Sequence, residues 1–360
     1  MRCNNSFSAA HDTDSLAVMY FAALPRNPVA ARSEIAVFRA PSVNRRLLLQ
    51  SGGAAAACAL AAPKFSVTAL AQGAATEARG AFHHRFSVGS HDVFVLSDGY
   101  LTIPTSIFAG NVPEAEVKSF LATRGLGPNR VYFRINVALV RTGNDYVLID
   151  AGAGGTWEQT AGDLADSLEA AGIKPEQIDK VVLTHAHPDH LWGLIDDLDN
   201  SLRYPRAQYV VAAREFDFWT SGEAARFSGP VEAIAAGARR VFKAIEARTT
   251  RIKPGEEVAA GIVAIDTAGH TPGHISLMLT SGSDKLFITA DALQNAHVAF
   301  AHPDWQSRVD MDGAKAAQNR RQVLDMAATD KLRILCYHIP FPGLGRVERK
   351  GSAFTWLADA

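Results

Sequence analysis

The sequence predicts an α+β fold with sheets in the middle and helices outside. Two patterns carry that prediction: strand pairs joined by tight turns, and strands that alternate with helical stretches. A third observation is apolar content, 48% hydrophobic against 20% charged over 360 residues, which is enough for a sizeable core in one large domain or two ordinary ones.

Taken in order, Arg85–Leu96 alternates apolar and polar residues and runs into Asp98-Gly99, which predicts a hairpin. Asn136–Val140 and Tyr146–Ile149 flank residues 142–145 (Thr-Gly-Asn-Asp) and predict a second hairpin. Trp157–Ala171 has a helical pattern that ends at Gly172, a residue suited to the left-handed position after a helix. Lys180–Leu183 and Gln208–Ala212 are short buried strands, and the second leads into a helical stretch carrying Phe216, Phe218 and Trp219. Val231–Ala247 is alanine-rich and helical. Ile262–Thr267, Ile275–Leu279 and Leu286–Thr289 are strands, the last two joined across residues 281–284. Gly313–Ala328 is a helix with Asp310 or Asp312 as its cap, and Leu332–Tyr337 is a final strand.

Composition removes some function classes. The net charge is −1, without the basic excess of a nucleic-acid binder. No long unbroken apolar run in the body of the chain predicts a membrane span. The N-terminal stretch is different. Asn44-Arg45-Arg46 precedes leucines and a small apolar run to Ala62, and residues 69–71 (Ala-Leu-Ala) offer a small-residue cleavage site. Residues 1–72 therefore read as an extension followed by a signal of the twin-arginine type, and a periplasmic or secreted mature chain. The competing reading is a cytosolic helix start behind a tail; lipid attachment at Cys58 is weaker, because only alanines precede it. The signal starts late, which puts Met1 in question as the true start. Cleavage would remove Cys3 and Cys58 and leave Cys336, in an apolar strand, with no internal partner. The folded domain is expected over 82–358.

The chemistry is concentrated after the strand at Val181–Leu183. There, residues 185–190 hold His185, His187, Asp189 and His190. Two residues apart on extended backbone, His185 and His187 point the same way. Pro188 ends the strand and turns the chain, so Asp189 and His190 can face a second point nearby. Imidazole and carboxylate donors suit zinc, iron or manganese, and the absence of cysteine argues against a structural zinc site. His270, Asp291 and His338 each follow the end of an apolar strand. A lone histidine in such a place is often only a satisfied polar group, but four strand ends delivering metal-type ligands form a pattern. His274, four residues past His270, reads as a supporting residue.

The H-x-H-x-D-H run, the later histidine, the aspartate and the last histidine resemble the metallo-β-lactamase superfold, an αββα sandwich of two mixed sheets flanked by helices, over about residues 85–357. The resemblance implies one metal at His185, His187 and His270 and a second at Asp189, His190 and His338, with Asp291 bridging. Class B β-lactamases usually differ at the second metal, so drug hydrolysis is not implied. Residues 147–155, residues 215–219 and residues 338–345 are similar to the methyl parathion hydrolase branch, near the quorum-quenching lactonases. That likeness maps substrate-pocket aromatics to Trp157, Trp219 and Phe242, although ordinary core packing explains such residues as well.

Two divalent ions, with zinc first and iron, manganese or cobalt as other options, could share a hydroxide that serves as nucleophile at neutral pH. Asp291 and Asp189 are the residues placed at the reacting centre. No residue stands out as general acid, which fits a good leaving group or a lactone. The expected reaction is hydrolysis of esters, lactones or phosphotriesters with an apolar portion. Two other readings compete: a redox enzyme on the same fold, such as a mono-iron sulfur dioxygenase or a di-iron protein, and a binding protein without turnover. The expected partner is a small molecule, with no nucleic acid, no stable membrane insertion after processing, and room for a homodimer.

Overall fold

The computed structural model describes residues 82–359 apart from positions 128 and 197; the extension and export signal predicted over 1–72 lie outside the described residues. The first sheet begins with β1 (His83–Val88) and β2 (His91–Pro104), paired from His83↔Leu96 to Val88↔His91. Their turn is Gly89-Ser90, with Gly89 at φ 56°, and not the predicted Asp98-Gly99. Asp98 and Gly99 instead make a bulge within β2, where the register against β3 (Arg130–Thr142) slips between Ser97 and Tyr100. Gly99 sits at φ 92°, and a Cβ there would overlap the Thr160 carbonyl. The dipeptide allows left-handed backbone in either role; the earlier turn already closes the hairpin, so here it re-aims a strand.

Between β2 and β3 lies α1 (Glu114–Thr123), which the sequence reading did not anticipate. The predicted hairpin of β3 with β4 (Asp145–Ile149) is present. The helix expected over Trp157–Ala171 is reduced to α2 (Leu164–Ala170). The buried Asp98 carboxylate accepts the N–H groups of Ala153 and Leu164, each at 2.7 Å, and Gly162 has φ 95°. Those contacts hold residues 151–163 as a loop rather than as the first turns of a helix.

Next come β5 (Ile178–Leu183), α3 (Pro188–Leu191), β6 (Gln208–Ala212), α4 (Ala213–Thr220), α5 (Pro230–Ile245) and β7 (Thr249–Ile252). The second half of the chain supplies β8 (Glu257–Ala259), β9 (Ile262–Asp266), β10 (Ile275–Ser281), β11 (Asp284–Ala290), α6 (Val298–Ala301), α7 (Gly313–Thr329), β12 (Arg333–Cys336), β13 (Leu344–Lys350) and β14 (Ala353–Ala358). Asp312 is the cap of α7, accepting from the Lys315 N–H at 3.0 Å, while Asp310 has another task.

Among the described residues the strands form two mixed sheets of seven, ordered β1 to β7 and β14 to β8. Pairing in the first sheet is antiparallel up to β4 and parallel from β4 to β7. Alternation decides the layers. Val93 and Val95 of β2 join Leu277, Ile288 and Leu335 in a core between the sheets. Phe94 and Leu96, one residue out of phase, face the other way and pack with Leu168, Phe216 and Phe242 from the helices. A third core joins Phe287 and Ile334 to Val323 and Leu324 of α7. Each sheet is thus buried on both faces, which explains why its inner strands read as continuous apolar runs. The result is the helix–sheet–sheet–helix sandwich, with strand ends gathered along one edge.

Candidate metal centre

The C-terminal ends of β5, β11 and β12 and the loop after β9 meet at that edge. His185 and His187 follow β5, His270 follows β9, Asp291 follows β11 and His338 follows β12. Pro188 starts α3, and the turn it begins carries Asp189 and His190 back under the first two histidines. Two buried groups result. In one, single ligand atoms from His185, His187, His270 and Asp291 all lie within 4.8 Å of one another; in the other, those of Asp189, His190 and His338 do so. Every residue that the sequence reading named as a ligand is in one group or the other.

Asp291 touches both. Its Oδ2 is 3.2 Å from His270 Nε2 and 3.3 Å from His338 Nε2, and its Oδ1 is 3.1 Å from His190 Nε2. Asp189 Oδ2 lies 3.3 Å from His338 Nε2. His187 Nδ1 and His270 Nε2 are 2.8 Å apart. His185 Nε2 is buried with no hydrogen-bond partner, and neither His190 Nε2 nor Asp291 Oδ1 has a hydrogen bond of acceptable direction despite their closeness. Burying unsatisfied polar atoms is costly. Inward-facing orphans on nitrogen and oxygen donors, with no thiolate among them, fit divalent cations.

The outward nitrogens are anchored. His190 Nδ1 is 2.8 Å from Asp150, His270 Nδ1 is 2.9 Å from Asp310, His338 Nδ1 is 2.8 Å from the Arg134 carbonyl, and His185 Nδ1 is 3.1 Å from Thr184 Oγ1. Such partners fix the tautomer and the ring direction of a metal-binding histidine. Asp150 also accepts from the Thr184 N–H and hydroxyl, both at 2.7 Å, and it sits at φ 65°. Ala290, just before Asp291, has φ 44°. Left-handed backbone at residues other than glycine costs about 1–3 kcal/mol and collects at functional sites.

His274 behaves as a supporting residue. Its Nδ1 lies 2.8 Å from Thr267 Oγ1, and its Nε2 accepts the Asp291 N–H at 3.1 Å. Burial and the neighbouring His270 lower its pKa to about 3, so it is neutral and can accept. Burial lowers His185 well below the ordinary imidazole value, helped by His190 and His187. Burial also pulls on His270 and His338, but Asp291, with Asp310 and Asp189 respectively, raises each to about 9. Burial raises Asp291, yet His338, His190 and His270 outweigh it and hold that carboxyl well below the usual range.

Asp150, Asp310, Glu215 and Tyr337 were missed as functional residues. Asp150 ends β4 much as the ligands end other strands, a signal the sequence did offer. Asp310 stood only as a helix cap. Tyr337 stacks on His190 with centroids 3.9 Å apart and donates its hydroxyl to the Asp189 carbonyl at 2.8 Å. Of the pocket aromatics, Trp219 lies 6.2 Å from the His187 ring, edge-on. Trp157 packs edge-on against Trp192 at 5.2 Å. Phe242 is fully buried, its ring 4.8 Å from that of Phe216, which is itself buried.

The family model described as the metallo-beta-lactamase superfamily matches residues 131–338, more than half the chain, and that span includes all seven ligands. The chain belongs to the metallo-beta-lactamase superfamily. Among solved structures of the superfamily, AidC, a dizinc quorum-quenching lactonase, is 30% identical with a TM-score of 0.72, and the match covers 77% of this chain and 97% of that one. The hydrolase AbOPH is 26% identical at the same TM-score of 0.72, covering 79% of this chain and 99% of that one. A probable metal-dependent hydrolase from Staphylococcus aureus, 18% identical with a TM-score of 0.63 over 76% of this chain and 99% of that one, shares the fold. The uncharacterized protein YobT of Bacillus subtilis (strain 168) is 28% identical over 162 residues, 45% of this chain but only 63% of that relative's length. Among the described residues no helix is long and apolar enough to cross a membrane.

Proposed function

We propose that this metallo-beta-lactamase-fold chain is a dinuclear metal-dependent hydrolase of uncharged or weakly charged esters, lactones or phosphotriesters with an apolar portion. The observation that carries the proposal is Asp291, one carboxylate in contact with histidines of both ligand groups. Two divalent ions held there, zinc first by the donor set, would supply Lewis acidity and activated water at neutral pH. The chain's own work is orientation and exclusion. Asp150 and Asp310 aim His190 and His270, and the Arg134 carbonyl aims His338. All seven ligands are buried, which keeps bulk water from weakening the field of Asp189 and Asp291 on reacting atoms.

The substrate class follows from what surrounds the site. Trp219 stands beside His187 as apolar wall, Phe218 packs edge-on against Trp219 at 5.2 Å, and Phe216 and Phe242 pack together on the same helical layer. Burying a large apolar group on such a wall is worth roughly 1.5–3 kcal/mol. A phosphomonoester or nucleic acid would call for arginines or lysines free to pair with phosphate. Arg320 is occupied by Asp310 at 3.0 Å and by the Pro303 and Trp305 carbonyls. AidC acts as a lactonase, and the likeness to it supports a lactone or similar ester here. The test compares kcat/KM across aryl esters, short- and long-chain lactones and phosphotriesters, in the parent chain and in Trp219→Ala. Loss of selectivity for the longer apolar substrates is expected. Best turnover of phosphomonoesters, or a preference that the substitution leaves untouched, would remove the apolar-wall argument while leaving the metal site standing.

Export is proposed on the sequence alone, from Arg45-Arg46 and the site ending at Ala71. N-terminal sequencing of the native protein should find a start near Gln72 in the periplasmic or secreted fraction; an intact residue 1–60 segment in the cytosol would contradict it.

A further inference from the structure

Glu215 is a fully buried carboxylate with no counter-cation among its hydrogen-bond partners. It sits in the first turn of α4, outside both ligand groups, and four donors converge on it. Oε1 accepts from the Ala186 N–H at 2.9 Å and from Trp219 Nε1 at 2.7 Å; Oε2 accepts from the Thr271 hydroxyl and the Gly273 N–H, both at 2.8 Å. Ala186 lies between His185 and His187. Thr271 and Gly273 lie between His270 and His274. One side chain therefore holds the loop after β5 and the loop after β9 at a fixed spacing.

The approach is close enough to constrain the sequence. A Cβ on Gly273 would overlap the Glu215 backbone, so the loop can lie against α4 only with glycine there. The two loops also meet through the Ile275 N–H and the Thr184 carbonyl at 3.1 Å, but that bond lies on the strand side of the ligands. On the side of the ligands themselves, the loops meet at the two ligand rings, His187 Nδ1 and His270 Nε2 at 2.8 Å, and through Glu215, which lies outside the ligand set. The second group is held by different means: Asp150 on His190, Tyr337 on the Asp189 carbonyl, and the Arg134 carbonyl on His338.

We propose that Glu215 is a positioning residue that sets the distance between His185, His187 and His270, and so governs metal affinity at that group selectively over the group of Asp189, His190 and His338. Its partnership with the Trp219 indole extends the same clamp to the wall beside His187. The inference rests on the proposed dinuclear reading, and the experiment separates the two.

Metal-stripped protein is titrated with cobalt(II) against a competing chelator, reading the d–d absorption and the two dissociation constants, for the parent chain, Glu215→Gln, Thr271→Val and Thr271→Ser. Glu215→Gln keeps the shape but turns one acceptor edge into a donor edge facing donors. One of the two constants should weaken by about 10–100-fold, as for other outer partners of metal ligands, with the other changed less than about threefold. Thr271→Val should weaken the same constant by a smaller factor, and Thr271→Ser, which restores the hydroxyl, should recover it. The Thr271 pair carries the test if Glu215→Gln fails to fold. Two parent constants with no change in either variant, or an equal loss at both, would overturn the positioning role. A parent chain that binds no second ion would overturn the dinuclear reading instead.

Discussion

The two ligand groups share Asp291 but are built on different principles. Asp189 and His190 are neighbours on one short helix, and His338 reaches them from the end of a central strand. Main chain supports much of that group: the Arg134 carbonyl holds His338, and Tyr337 holds the Asp189 carbonyl. Both groups span the two sheets, but the group of His185, His187 and His270 takes its outer support from two carboxylates, Asp310 and Glu215, contributed by segments distant in sequence. The group of Asp189, His190 and His338 has one such carboxylate, Asp150 on His190, where the other has two. The first metal position should therefore be the more easily lost.

The largest expected effect breaks the feature common to both. Asp291→Asn removes a charge that faces His190, His270 and His338, so metal content should fall from about two ions per chain to one or none and hydrolysis should fall to background. Elemental analysis on the folded variant, checked by circular dichroism, decides this; two tightly held ions in Asp291→Asn would contradict the bridging role.

Next in size are the outer carboxylates, which separate the groups. Asp310→Ala should weaken one ion by about 10–100-fold through His270, and Asp150→Asn should weaken the other through His190 by a comparable factor. Chelator competition on both variants tests it. The same ion lost in both would erase the distinction. Asp310 also pairs with the buried Arg320 at 3.0 Å, so Asp310→Ala strands a cation and should lower stability by about 3–5 kcal/mol, while Asp310→Asn should cost less.

Metal loading should release protons. In the metal-free chain Asp291 and its carboxylate neighbours hold His270 and His338 up at about 9 against the pull of burial, so both carry protons at pH 7. A cation must displace them, and apparent affinity should rise with pH until about 9. The sign for stability is opposite. A raised histidine stabilises the metal-free fold fully below about pH 6.5, and that contribution is lost as pH climbs through about 9. Calorimetry in two buffers of different ionisation enthalpy measures the protons, and the melting temperature of the metal-free chain follows the second trend. Binding enthalpy independent of buffer would contradict the proton count.

The smallest expected effect falls at the wall. Trp219→Phe keeps the ring but removes the bond to Glu215, a charge-assisted contact worth about 1.5–3 kcal/mol when lost. KM for apolar substrates should rise several-fold with kcat little changed, and steady-state kinetics on a lactone series reads both.

Much of this centre was legible before folding because His185, His187, Asp189 and His190 are crowded into six positions, where chance and surface polarity explain them poorly. The strands before them were legible for a related reason: burial on both faces leaves unbroken apolar runs such as Val181–Leu183. Glu215 and Asp310 gave no comparable signal, since a single carboxylate in a helix or before one is ordinary until folding surrounds it with donors. Asp98-Gly99 misled for the opposite reason. The pair permits a turn, and only the packing of Thr160 against Gly99 and the capture of Ala153 and Leu164 by Asp98 make it a bulge. Those same contacts shortened the helix expected from Trp157. The strand β13 escaped notice because Arg346, Glu348, Arg349 and Lys350 give it a charged, exposed face without the apolar runs of the centre.

The central claim is that hydrolysis depends on two ions held by these seven side chains. Metal-stripped protein should be inactive toward a lactone or aryl ester, and activity should return as divalent metal is added, reaching its plateau at about two equivalents per chain. Full activity in thoroughly stripped protein, or a plateau that the second equivalent does not affect, would contradict it.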